Sequence, residues 1–174
     1  MARIKITPTG VERRLGEEEI IVSKTDVYGK IAYANKTFLE ISGFREDEVI
    51  GQPHSMVRHP DMPRSVFKLL WDTLGRGEEI FAYVVNLSKN GDHYWVLAHV
   101  TPTFNTSGEI VGYHSNRRAP DRSFLPTICD VYAQLRAEEE KYSDKRQGME
   151  AATQILMNVV RAKAETYEEF IALV

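Results

Sequence analysis

The 174-residue chain is 43% hydrophobic and 27% charged, the balance of one soluble domain with room for an appended element. A formal net charge of −3 gives no basic field for nucleic acid or an anionic membrane surface. The single cysteine, Cys129, excludes an internal disulfide and a multi-cysteine metal site and fits a reducing, cytoplasmic setting.

Residues 1–18 are polar, with mixed charge in "GVERRLGEEE", and are expected to form a flexible or helical N-terminal cap outside the core. No apolar run reaches the roughly 18 residues of a membrane helix, and the N-terminus lacks a signal-peptide core. Direct membrane insertion is not expected, and any membrane association would run through a partner. From Glu19 the stretch "IIVSKTDVYGKIAYAN" predicts a hairpin, with Asp26 and Gly29 supplying the turn. Phe38 and Ile41, three apart and followed by Gly43, predict a short helix, and "REDEVIG" predicts another helical turn. Val66, Phe67, Leu70, Trp71 and Leu74 recur at helical spacing, and Pro63 suits that helix's start, where its missing N–H is no loss.

Three further strands are read in "IFAYVVNLS", "HYWVLAHVTPTF" and "IVGYHSNRRA", separated by the turn signals "KNGD" and "NTSGE". The fold class expected from this order is α+β: a five-stranded antiparallel sheet with short helices across one face, spanning 19–120, and a ligand cavity between the layers. Over 121–174 two amphipathic helices are predicted, one carrying Ile128, Val131, Tyr132 and Leu135, the other Ile155, Leu156, Val159, Val160, Phe170 and Ile171. They either dock on their own domain or form a homodimer or partner seam. Gly148 marks a break or a tolerated interruption.

The segment "SMVRHPDMP", residues 55–63, concentrates a cation, an imidazole, a carboxylate and two prolines. Together with "IAYANKTF", "SGF", "FKLLWDTL", "KNGDHYWV" and "GYHSNR", it resembles the flavin-binding PAS domain of bacterial aerotaxis receptors, from about Glu19 to Arg118. The resemblance implies FAD bound non-covalently and read as a redox sensor rather than turned over, so no enzyme activity is expected. The positions it implies for cofactor binding are Asn35, Arg58, His59, Asp61, Phe67, Trp71 and Asn86. Ile80 stands where the family can carry tryptophan.

The residue types fit that chemistry independently. An isoalloxazine ring offers apolar faces to Phe67, Trp71 and Ile80, while the Asn86 amide can both donate and accept at the ring edge. Arg58 presents a planar fork to phosphate, His59 adds a donor, and Asp61, repelled by phosphate, is expected to orient those two. Blander readings are a surface Arg58–Asp61 pair, Asn35 as a helix cap, and Phe67 and Trp71 as core. Asn86 resists such a reading, because an unpaired buried amide is costly.

FMN would satisfy most of the ring contacts. Five histidines leave a haem-binding gas sensor open, and a cofactor-free PAS dimerisation module is a further alternative. Cys129 falls on a C-terminal helix, so flavin–cysteine adduct photochemistry is not expected. The functional expectation is a redox or energy-taxis sensor whose C-terminal helices signal to a chemoreceptor or other signalling protein. The chain is expected to be a complete short protein serving a separate membrane receptor, rather than a fragment.

Overall fold

The computed structural model describes residues 6–173. The cap expected over residues 1–18 therefore lies partly, over 1–5, outside the described residues. Residues 6–18 are not helical: they run extended across the turn after the third strand, with Thr9 N donating to the Gly91 carbonyl at 2.8 Å and Arg13 N to that of His93 at 2.7 Å. Leu15 is buried in the core. The segment is held because neighbouring backbone leaves these groups unpaired, a tertiary effect invisible in a polar sequence.

The elements run β1 (Ile21–Asp26), β2 (Ile31–Ala34), α1 (Lys36–Ser42), α2 (Glu46–Val49), a 3-10 turn (His54–Val57), α3 (Arg64–Gly75), β3 (Ile80–Leu87), β4 (His93–Phe104), β5 (Ile110–Arg118), α4 (Leu125–Glu139), α5 (Lys145–Arg161) and α6 (Tyr167–Leu173). The strands form one antiparallel sheet in the order β2-β1-β5-β4-β3. This is the α+β arrangement the sequence predicts.

Strand alternation divides β3 between the two faces of the sheet. Val84 and Asn86 face α3 and the 3-10 turn across a cavity. On α3, Val66, Leu70 and Leu74 are buried, whereas Trp71 is half-exposed and meets Tyr113 edge-on at 5.2 Å.

Three C-terminal helices replace the two predicted. The second predicted helix stops at Arg161, and α6 restarts where the Thr166 hydroxyl accepts from Glu169 N at 3.1 Å, an N-terminal cap. The helices dock on their own domain: Leu135, Ala152, Leu156, Val160 and Phe170 are buried in the common core, and the Tyr132 hydroxyl donates to the Tyr83 carbonyl at 2.6 Å. These buried residues of the apolar faces are thus used within the chain, while Leu173 of α6 stays exposed. Gly148 is no break but lies inside α5, packed against the end of α4.

Candidate functional site

A cavity of about 180 Å³ opens between the sheet and α3. The cavity is several times the roughly 30 Å³ a water takes up in the liquid. Its apolar side comes from Phe67, Leu70, Trp71 and Leu74 of α3 and from Val84, Ala98 and Val100 of the sheet. Its polar side joins Ser23 and Thr25 of β1, Ser115 and Arg117 of β5, Asn86 of β3 and His54 of the 3-10 turn.

Arg117 dominates the electrostatics. It is 2% exposed, and among the described residues no carboxylate pairs with it; burial holds its guanidinium down to about 10. Nη2 donates to Ser23 Oγ, the Phe38 ring lies 5.3 Å from Cζ, and Nε and Nη1 have no partner. Ser23 Oγ also lies 3.1 Å from His54 Nε2. Burial, and then the Arg117 charge, push the His54 imidazole down to about 3. His54 is therefore neutral at physiological pH, and the cation of this cluster is Arg117.

Buried polar groups are nearly always satisfied. Among the described residues, Thr25 Oγ1 and Arg117 Nε and Nη1 are buried without partners and belong to residues lining the cavity, whereas Ser65, whose Oγ is also unpartnered, does not line it; the Asn86 amide lies against the buried Tyr94 hydroxyl across β3 and β4. The two Arg117 atoms are obligate donors. A ligand with acceptor or anionic atoms on this side of the cavity would match the donor character of the residues that line it.

Of the sequence-predicted residues, Arg58, Phe67, Trp71 and Asn86 line the cavity, and Asn35, His59 and Asp61 do not. The Arg58 guanidinium stacks over Phe67 at 4.5 Å and donates to the Met62 carbonyl at 2.9 Å, while its backbone bridges to Asn86. Asn35 caps α1, its Oδ1 accepting from Phe38 N and from Val22 N, each at 3.0 Å. His59 is buried, which lowers its basicity, and its Nδ1 accepts from Asp61 N at 3.0 Å. Asp61 was expected to orient Arg58 and His59. Its carboxylate lies 3.8 Å from His59 Nδ1 but pairs closely with Arg136 on α4, because the loop's exposed side is where α4 docks. Ile80 is buried away from the cavity.

Sequence reasoning missed Ser23, Thr25, His54, Ser115 and Arg117. The signal was the strand period in "GYHSNRR": Tyr113, Ser115 and Arg117 share one face, and all three line the cavity.

The chain matches a family model described as "PAS fold" over residues 31–117. It is 42% identical over 123 residues to the aerotaxis receptor of Escherichia coli K12, covering 71% of this chain and 24% of that protein. It is 26% identical over 102 residues to a nitrogen fixation regulatory protein of Klebsiella pneumoniae, covering 59% of this chain and 21% of that protein. The chain thus spans about a quarter or less of the length of these relatives. Among solved structures, the dark structure of the blue-light photoreceptor Aureochrome1 LOV aligns with a TM-score of 0.56 at 22% identity, covering 63% of this chain and 82% of that one. The family match runs from β2 into β5 and takes in the helices between them, and the chain belongs to the PAS family.

Proposed function

We propose that this PAS domain is a flavin-binding redox sensor: it holds FAD non-covalently and passes the redox state to a chemoreceptor or other signalling partner in the cytoplasm. The observation that carries the reading is the buried Arg117 guanidinium, with Nε and Nη1 unpartnered, beside Asn86 on the polar side of a largely apolar cavity. A flavin ring has this complement, with apolar faces and an edge of carbonyl and ring-nitrogen acceptors. The similarity to an aerotaxis receptor supports the same reading.

Phe67, Leu70 and Trp71 would cover one ring face, with Val84, Ala98 and Val100 opposite; Asn86 and Arg117 would hold the edge. Arg58 is assigned to the phosphate side. Asn35, His59 and Asp61 hold the walls: Asn35 ties α1 to β1, and the other two shape the loop that carries Arg58. When bound, flavin supplies one- and two-electron redox chemistry. Arg117, charged and poorly solvated, favours ligand forms with negative charge at the edge, so its hydrogen bonds differ in strength between oxidised and reduced protein.

An absorbance spectrum of the purified protein, before and after FAD addition, tests this. Bands near ~375 and ~450 nm that bleach with dithionite are expected for bound flavin. A Soret band would make it a haem protein, and a chain that stays colourless after FAD addition would reject the flavin.

A further inference from the structure

Helix α3 lines the cavity but begins without a local cap. Pro63 precedes it, no side chain there accepts from the first turn, and that turn carries no acidic residue. The cap comes instead from far along the chain: Glu139 accepts from Arg64 N through Oε2 at 3.1 Å and from Ser65 N through Oε1 at 2.8 Å. Glu139 is 6% exposed.

The placement is unfavourable for its own helix. Glu139 is the last residue of α4, where a negative charge opposes the helix dipole; at the N-terminus of α3 the same charge is favourable. A residue that breaks a local rule to satisfy a distant one marks a specified contact. One turn earlier, Arg136 pairs with Asp61 in the loop that carries Arg58. On the far side, a Cβ added to Gly148 of α5 would stand 2.6 Å from the Glu139 carbonyl oxygen, so α5 abuts the end of α4 backbone to backbone.

We propose that Glu139 and Arg136 are positioning residues for the cavity. They clamp the start of α3 and the Arg58–Met62 loop to the C-terminal helices, so that ligand occupancy and helix docking are coupled. The cavity wall and the output segment then share one junction: whatever shifts α3 moves both partners of Glu139. Coupling of this kind is reciprocal, so loosening the clamp weakens ligand binding by the factor with which the ligand tightens the clamp. The clamp itself stands on the contacts above; only the identity of the ligand rests on the flavin reading.

Hydrogen exchange of the full chain, with and without FAD, decides it. In the ligand-free protein, Glu139→Gln should raise exchange in the first turn of α3 and across α4 by about tenfold while β4 and β5 stay unchanged. Wild-type rates in α3 would overturn the clamp. On addition of FAD the wild-type protein should gain protection in α4 and α5. E139Q should lose that gain and bind FAD about tenfold more weakly, with Arg136→Gln acting the same way more mildly. A side chain that only stabilised the fold would leave the ligand-dependent gain in place. FAD binding to wild type with no change in α4 and α5, or wild-type affinity in E139Q, overturns the coupling. Failure of the wild-type protein to bind FAD would remove the flavin reading and its coupling, while the ligand-free comparison still decides whether Glu139 positions α3. Should E139Q fail to fold, R136Q tests the other arm of the clamp: raised exchange in the Arg58–Met62 loop and across α4 is expected, and wild-type rates there overturn it.

Discussion

A buried guanidinium without a counter-charge is costly, and Arg117 keeps that cost inside the core, with Ser23 accepting from Nη2 and two donors unmet. Arg117→Met should therefore raise the melting temperature of the ligand-free chain, by an amount corresponding to ~1 kcal/mol or more, while FAD retention falls. Melting curves and cofactor content of the same preparation check this; a lower melting temperature with full FAD content would reject the assigned role. His54 supports a second expectation. Its folded-state basicity is lowered from 6.5 to about 3 by burial, so below pH 6.5 the unfolded chain takes up the proton first. The stability present above 6.5 is then lost as pH falls toward 3. His59 and His114 are shifted in the same direction, chiefly by burial. Urea midpoints should fall between about pH 7 and pH 5, and His54→Asn should flatten that slope. At this scale the sequence was half legible. The motifs led to Arg58, Phe67, Trp71 and Asn86, which line the cavity, whereas Arg117 sits beside an equally charged Arg118 and is distinguished only by the face of the strand on which it lies.

At the scale of elements, periodicity located the strands and α3, because each buries one face and repeats accordingly. The same reasoning ran α5 and α6 together although "TYEE", residues 166–169, carries a capping signature that the structure uses at Thr166. The cap of α3 by Glu139 was not legible, since its partners lie 74 and 75 positions away. Gly148 shows how two elements can fix a residue that neither would fix alone. Alanine there gains up to ~1 kcal/mol of helix propensity, yet its methyl would meet the backbone of Glu139 at 2.6 Å, and such overpacking costs ~1–3 kcal/mol. Gly148→Ala should therefore destabilise the chain by ~1 kcal/mol in urea unfolding, and a stabilised variant would mean that α5 moves freely on α4.

Across the whole molecule, layer order and strand count followed from the sequence, while the way the C-terminal helices close on the domain did not, since an amphipathic face does not say what it covers. In the structure those helices and the Arg58–Met62 loop converge on one side of β3, the last strand of the sheet. Tyr132 takes the Tyr83 carbonyl, Val85 N approaches the Met62 sulfur at 3.4 Å, and Arg58 bridges to Asn86. An eight-residue apolar border strand left bare would invite copies of itself to add on, strand to strand, into an open-ended stack. The loop that shapes the cavity and the helices that close over it thus also protect against polymerisation, and any signal that lifts them away must leave part of that seal in place or briefly make the protein adhesive.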